Sequence, residues 1–544
     1  MLLRDYQREC LKALGERYRA GVRRQLVCLP TGTGKTVIFA EFPRFFRMKK
    51  RMLVLAHREE LLDQARDKIL RANPELSVDV EQAGRHAGPE SDVVVASVPT
   101  LGRAGSGRIG RLDPDQFYLI VVDEAHHATA ETYRRTLEHF GVFEPDTKRL
   151  LVGFTATPKR GDGQGLDGVF EEISFSRALP EMVRAGYLAP LAAYRVETDV
   201  DLTGVKTRLG DFVTSHLSRA VNVQERNDLV VRVYRDRLDG RQTLCFCVDV
   251  AHAQHLAEAF GRAGIPSAAV TGETPRPDRE ATLAAFREGS LRVLTNCMVL
   301  TEGYDEPSVS GILLARPTKS TLLYTQMIGR GTRLHPGKDD VTVVDIVDAS
   351  RSHRLVTLPT LFGLPAAFDL AGHTTDDAWE AFRWAEENRP WVRTDLATSL
   401  DDLRYRCTRV DLFDLATPAE LVDCTRLAWA SLGSGGYRLS LPGGDAVTVT
   451  LDILGSWEAV ARRGGAEEEI GRASDPCAAV RAADAYVESR CAEAVPLLFR
   501  HGRWRREPAS EKQLQLLRER KLQLPGGLTK GQASHLIGML PRRG

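Results

Sequence analysis

The nine cysteines of this 544-residue sequence include no CxxC pair, which removes the ligand spacing that zinc sites and iron–sulfur clusters favour. Cys245 and Cys247 are one residue apart and on a strand would share a face. Buried thiols in a reducing compartment are therefore expected. Long apolar runs are also missing: none approaches the ~20 residues of a membrane span. The opening MLLRDYQREC mixes acid and base and has no apolar stretch of a secretory kind. A cytoplasmic protein with no membrane partner is the expectation. Charge excess is lacking too. At a formal +1, any surface for a polyanion must arise from local clustering. There is no low-complexity segment or short-period repeat, and 43% hydrophobic with 27% charged residues excludes large-scale disorder. The length exceeds one core, and at ~150 residues per domain three or four domains are expected.

What is present begins with strands. QLVCLP, RMLVLAH, DVVVAS, YLIVVD and RLLVGFT are continuous apolar runs ending in polar turns, the signature of a parallel sheet covered by helices on both faces. RQTLCFCVD, PSAAVTG, LRVLTN, GILLAR and VTVVDIVD repeat the pattern, separated by amphipathic stretches such as AHAQHLAEAFGRAG. Two α/β units in tandem follow, joined by an irregular stretch. Beyond residue 360 the texture changes: residues 366 to 402 are acid-rich and helix-like, and all six tryptophans lie after residue 378. Trp379, Trp384 and Trp391 have acidic surroundings and are expected in a core or a docking surface. Residues 500 to 544 hold eleven Lys or Arg against three Glu, with helices expected after Ser510 and Thr529.

LPTGTGKTVIF follows the first strand. Gly32 and Gly34 let the backbone turn its N–H groups inward, Lys35 reaches outer phosphates, and Thr36 offers a hydroxyl to magnesium at a helix start. Leu29 stands where the usual pattern has a glycine. About ninety residues on, the run YLIVV delivers Asp123 and Glu124. One carboxylate, Asp123, would hold the metal through water, and the other, Glu124, would polarise attacking water. ATP and Mg2+ are thus the expected cofactors.

Asp123, Glu124, Ala125 and His126 spell a DEAH box, and the sequence here resembles superfamily 2 helicases, among which the missing glycine is common. The resemblance extends to LRDYQ, similar to the adenine-recognising Q motif through Gln7; VLAHREELLDQA, motif Ia; VASVPTL, motif Ib or Ic; FTATP, motif III; TNCMVLTEGYDEP, motif V; and QMIGRGTR, motif VI. Arg330 and Arg333, at helical spacing, would share a face and point at a nucleotide held by the first domain. The resemblance implies a nucleotide site of Gln7, Thr31, Gly32, Thr33, Gly34, Lys35, Thr36, Asp123, Gly303 and Asp305. It implies coupling through His126, Thr155, Thr157 and Gln326, and a nucleic-acid track of Arg58, Ser97, Thr100, Thr271, Thr295 and Asn296. Any of the track residues would serve equally as a structural cap. Trp504, flanked by arginines in HGRWRRE, would stack on a base or close a helix pair.

TPKRGDGQGLDGVFEEI, GETPRPDREATLAAF and ARPTKSTLLYTQMIGRGTRLHPGK narrow the resemblance to the Irc-like and RadD-like DNA repair helicases over residues 1 to 365, with XPB-type enzymes more distant. The Arg-Glu-Asp triplet of XPB-type cores and the cysteine cluster of RadD-like proteins are absent from the sequence. The fold expected is two RecA-like parallel-sheet domains, at residues 1–188 and 221–358, joined by an irregular connection at 189–220. An accessory domain at 359–499, helical or α+β, and a basic helical module at 500–544 complete it. The activity implied is ATP-dependent helicase or translocase action on duplex, forked or branched DNA in repair or recombination, in the cytoplasm and associated with the nucleoid. RNA as the substrate, or a nucleotide-switched scaffold or defence-system subunit, are the alternatives.

Overall fold

The computed structural model describes residues 3–103, 105, 107–157, 166–208, 211–301, 303–349, 355–389, 392–408, 417–432, 436–452, 455–520 and 522–540. Two compact units divide the chain, Met1–Phe362 and Gly363–Gly544.

The first unit contains two parallel sheets. In the first lobe β1 (Arg24–Cys28), β2 (Arg51–Ala56), β3 (Val78–Glu81), β4 (Val93–Ser97), β5 (Phe117–Asp123), β6 (Leu150–Thr155) and β7 (Glu172–Ser176) lie in the order β3-β4-β2-β5-β6-β1-β7. The expected apolar runs form the interior strands, wholly buried from Val93 to Ser97 and from Leu150 to Thr155. The edges β3 and β7 are additions. The second lobe orders β12-β13-β11-β14-β15-β8, from β8 (Leu191–Asp201), β11 (Thr243–Phe246), β12 (Ser267–Val270), β13 (Val293–Asn296), β14 (Gly311–Leu314) and β15 (Val341–Ala349). A short hairpin of β9 (Thr207–Arg208) and β10 (Asp211–Phe212) stands beside it. Residues 191 to 201, expected to be irregular, instead form β8 and pair in parallel with β15. Their charged residues mislead because an edge strand need hide only part of its surface.

The sheet order matters for chemistry. β1, β6 and β5 are neighbours, so Thr155 and Asp123, at the carboxyl ends of β6 and β5, meet the loop after β1 that leads to Lys35 at one edge of the sheet. Cys245 and Cys247 do share a buried face, their sulfurs 4.0 Å apart.

The second unit is α+β. β16 (Ala430–Leu432), β17 (Gly436–Ser440), β18 (Ala446–Leu451), β19 (Trp457–Arg463) and β20 (Ala466–Ala473) form an antiparallel meander, and the helix Pro476–Arg490 packs its Val480, Ala483 and Val487 into the core. Trp429 is fully buried, its indole N–H donating to Asp484 Oδ1 at 2.8 Å. Residues 500 to 540 belong to this same unit. Their helices, Glu511–Glu519 and Lys530–Met539, start at Ser510 and Thr529 as capping chemistry requires, each hydroxyl accepting from the third backbone N–H beyond it. Trp384 departs from the expected burial. It is 49% exposed, with the Arg389 guanidinium over its ring; Trp379 is half-buried under Arg383, and Trp391 lies outside the described residues. Cys424 and Cys477 are joined as a disulfide, a correction to the expectation of thiols throughout. No helix among the described residues is long and apolar enough to cross a membrane.

Candidate functional site

The loop after β1 turns on two glycines in the left-handed region, Gly32 at φ 86° and Gly34 at φ 76°, where an L side chain would be strained. Gly34 precedes the helix Lys35–Ala40. Tyr6 hydroxyl and Gln7 Nε2 both donate to the Thr33 carbonyl, the latter at 3.2 Å, so the Q-like segment braces the loop. Tyr187 packs its ring 4.7 Å from Tyr6, and its carbonyl accepts from Arg4 at 3.0 Å. Neither Tyr6 nor Tyr187 was singled out from sequence.

Lys35 Nζ lies 3.7 Å from Glu124 Oε1, and Glu124 Oε2 lies 3.4 Å from His126 Nδ1. Glu124 holds φ 50° and ψ 54°, a conformation that costs a non-glycine residue energy and is found where a side chain must be aimed. Asp123 is buried beside it. Burial first, and the Glu124 charge second, push its pKa up to about 6, against the pull of Lys35. Thr155, completely buried, donates to the Thr157 carbonyl at 2.9 Å and accepts from the Thr157 N–H. His126 packs against His127 (ring centroids 4.1 Å) and His127 against His57 (4.4 Å), which joins the DEAH box to motif Ia. The adjacent histidines in DEAHH and AHRE were the sequence signal for that relay.

The second lobe closes onto this site. A Cβ built on Gly329 would stand 2.5 Å from the Thr31 Cβ, and one on Gly32 would stand 3.3 Å from Arg333 Cγ. The helix Thr321–Gly329 ends before Arg330, so the two arginines are not on one helical face as their spacing suggested. Arg330 donates to the carbonyls of Thr301 (3.0 Å) and Tyr304 (2.8 Å). Arg333 pairs through Nε with Asp305 at 2.9 Å, and its buried Nη1 has no hydrogen-bond partner. Gln326 is buried on that helix. Across the cleft Arg58 donates to Val299 and Met298 carbonyls at 3.1 Å each, Gln64 Nε2 to the Gly303 carbonyl, and Lys68 lies 3.8 Å from Asp305.

The remaining track candidates are scattered among inward roles. Ser97 precedes the short helix Val98–Leu101 and Thr100 accepts from Ala83 N–H. Thr271 shares hydrogen bonds with Thr274. Thr295 donates to Ala253 O at 2.7 Å, and Asn296 Nδ2 to Cys245 O at 3.1 Å. Trp504, half-buried in the second unit, carries Arg505 4.8 Å from its ring centroid.

The donor set fits a nucleoside triphosphate. Lys35 Nζ, Arg333 Nη1 and Glu124 Oε2 are buried without hydrogen-bond partners, and such groups cost energy unless a ligand meets them. The Thr36 hydroxyl and the Asp123 carboxylate are hard oxygens of the kind magnesium takes.

Comparison with known proteins agrees with this geometry. Residues 1–160 match the family model described as type III restriction enzyme, res subunit, residues 225–335 the helicase conserved C-terminal domain, and residues 409–544 the C-terminal domain of mitochondrial helicase Irc3. A "putative mitochondrial ATP-dependent helicase irc3" of Schizosaccharomyces pombe is 32% identical over 98% of this chain and 89% of its own length. The chain belongs to the Irc3 family of superfamily 2 helicases. Its two parallel-sheet lobes are accordingly the tandem RecA-like domains of an ATP-hydrolysing helicase. The "putative ATP-dependent helicase IRC3" of Saccharomyces cerevisiae is 38% identical over 67% of the chain, which spans only 54% of that relative. The "DNA 3'-5' translocase XPB2" of Sulfurisphaera tokodaii, 25% identical, is matched over 65% of the chain and 83% of its length. The family names correct the expected location: they point to the mitochondrion, not to the cytoplasm or a nucleoid. The absence of an apolar span cannot separate two aqueous compartments.

Proposed function

We propose that this Irc3-family chain is a Mg2+-dependent DNA helicase or translocase that acts on duplex, forked or branched DNA in genome maintenance. The observation that carries the mechanism is the closed cleft, in which Gly329 abuts Thr31 and the unpartnered Arg333 Nη1 lies next to the phosphate loop. Bound ATP would meet Lys35 from the first lobe and Arg333 from the second, and an arginine supplied across a cleft stabilises charge on the transferred phosphoryl group. Arg330, with two donors spent on motif V carbonyls, positions that loop. Magnesium, held at Thr36 and Asp123, would supply Lewis-acid stabilisation of the phosphates. Glu124, poised between Lys35 and His126, orients and deprotonates the attacking water. His126, Thr155 and Thr157 pass the nucleotide state to the cleft, and opening and closing step the lobes along a strand by about one nucleotide, as in related motors.

DNA is favoured over RNA by the TEGYDEP form of motif V and by the DNA-directed name of the XPB2 relative. The test is steady-state ATP hydrolysis alone and with single-stranded, duplex and forked DNA and RNA at matched phosphate concentration. Stimulation by duplex or forked DNA is expected. Stimulation by RNA alone would transfer the reading to RNA remodelling, and none at all would leave a nucleotide-switched scaffold.

A further inference from the structure

Two adjoining cavities in the second unit share no residue with the ATP site. The larger, about 1200 Å³, has Glu386, Glu387 and Asp445 in its wall as well as arginines, so its charge is mixed. The smaller, about 320 Å³, is lined by Arg500, Arg505, Arg506, Thr529, Gln532 and His535, and by no carboxylate among the described residues. Three arginines thus line one cavity with no carboxylate among its described lining residues, and an anion held there would gain from their charge.

The arrangement is built. Arg500 is pinned by Nη1 to the Val422 carbonyl at 2.7 Å and Arg505 by Nη2 to the Leu497 carbonyl at 3.3 Å. Their Nε donors are buried without hydrogen-bond partners, as is His535 Nε2. His535 is enclosed deeply enough that burial, with the Arg505 charge second, pulls its pKa down to about 4; the cationic charge at neutral pH is therefore the arginines' own. Gly531 permits the approach of Arg505 to the start of the last helix, since a Cβ there would stand 2.7 Å from Arg505 Cβ and 3.0 Å from its carbonyl oxygen. Arg506 is exposed at the rim. Planar guanidinium donors with adjacent hydroxyl and amide groups suit a tetrahedral oxyanion.

We propose that this cavity is a phosphate-binding site of the accessory unit, in which Arg500, Arg505 and Arg506 take a phosphate of a DNA strand. The strand as the source of the phosphate rests on the function proposed above; the phosphate chemistry does not.

Inorganic phosphate titrated calorimetrically into the full chain carrying Lys35→Ala, which weakens phosphate contact at the ATP site, is expected to bind once. Adding Arg506→Gln, and separately Arg500→Gln, should weaken that binding by about tenfold each, the scale of one lost charge-assisted hydrogen bond. Arg506 is exposed, so its replacement removes no core, and an unshifted thermal transition checks the fold. In the chain with native Lys35, the same replacements should weaken duplex DNA binding and lower the slope of log affinity against log salt by about one per arginine. Phosphate binding indifferent to both replacements overturns the site. Weakened phosphate binding with unaltered DNA affinity and salt slope overturns the strand as its source and assigns a free phosphate or nucleotide. Failure of DNA to stimulate ATP turnover in the unmodified chain would sink the functional reading while the phosphate titration stood.

Discussion

Replacing Gly329 by alanine tests whether hydrolysis depends on the cleft closing as described. The added methyl carbon would lie 2.5 Å from Thr31 Cβ, 3.2 Å from its hydroxyl and 3.3 Å from its methyl group, whereas carbon atoms rest at about 3.5–4.0 Å. The surfaces must part by about 1 Å or more. Displacement of that size at a reacting centre costs about 10²-fold, and full loss of the cross-lobe arginine would cost about 10³ to 10⁵. Turnover under saturating nucleic acid should therefore fall by about 10² or more. ATP affinity should change little, because the phosphate loop belongs to the first lobe. Alanine is a better helix former than glycine by about 1 kcal/mol, so helix propensity cannot account for a loss. Removing the obstructing group from the other side, with Thr31→Gly in the same chain, should restore part of the rate; such a cycle isolates the pairwise contact. Measurement is by steady-state ATPase with separate nucleotide binding. Normal turnover in Gly329→Ala would show that the catalytic conformation does not bring motif VI against Thr31, and the argument would fail.

Other substitutions probe the remaining parts. Lys35→Ala should abolish measurable ATP turnover, and normal hydrolysis in that variant would displace the nucleotide site. Glu124→Gln should retain ATP binding while turnover drops by about 10² or more; a rate within a few-fold of normal would remove the base role. Deleting residues 500 to 544 strips buried Leu517, Leu528 and Leu536 from the accessory unit, so loss of its cooperative unfolding is expected in addition to weaker DNA binding. All six tryptophans lie in residues 379 to 504, which makes tryptophan fluorescence a reporter of that unit alone. Because His535 has a folded pKa of about 4 against an ordinary 6.5, the unfolded chain binds the extra proton between these values. Stability should rise as pH increases from about 4 to 6.5, and His535→Gln should flatten that segment of the fluorescence-detected profile.

How much was legible depended on what each residue had to satisfy. Interior strands such as VVVAS and LLVGFT announce themselves because both faces are buried. VDVE and EISFS, at the edges of the first sheet, are short acid-bearing alternations instead of continuous apolar runs, and EEEI in β20 is a strand only because Trp457–Arg463 lies beside it to pair with. Local pattern does not encode a partner strand. Lys35, Asp123 and Glu124 could be nominated from sequence because phosphate and metal chemistry fixes their residue types at strand ends, and the structure places Lys35 and Glu124 3.7 Å apart. Arg330 and Arg333 were readable as types but not as directions: the helix ends at Gly329, and backbone carbonyls of motif V capture the first arginine. The disulfide joins residues 53 apart in sequence, a separation that no spacing rule addresses.

The motif V loop, residues 298 to 304, collects donors from both lobes, which bears on how nucleotide state is transmitted. Arg58 and Gln64 of the first lobe donate to the backbone carbonyls of Met298, Val299 and Gly303, while Arg330 of the second lobe braces the same loop from within through the carbonyls of Thr301 and Tyr304. Met298 adopts φ 57° there, a left-handed turn that presents its carbonyl to Arg58 and also accepts from Thr301. The backbone shape of the motif V loop, together with the Asp305 carboxylate beside Lys68, thus bears on whether the lobes fit. A strand phosphate that recruited Arg58 would have to take donors now committed to Met298 and Val299. With Arg58 in the strand track, grip on the strand and closure on the nucleotide would compete for the same guanidinium. That competition would supply a physical link between the two sites without any contact between their ligands, and Arg58→Ala would then be expected to lower nucleic-acid stimulation of ATP turnover more than basal turnover.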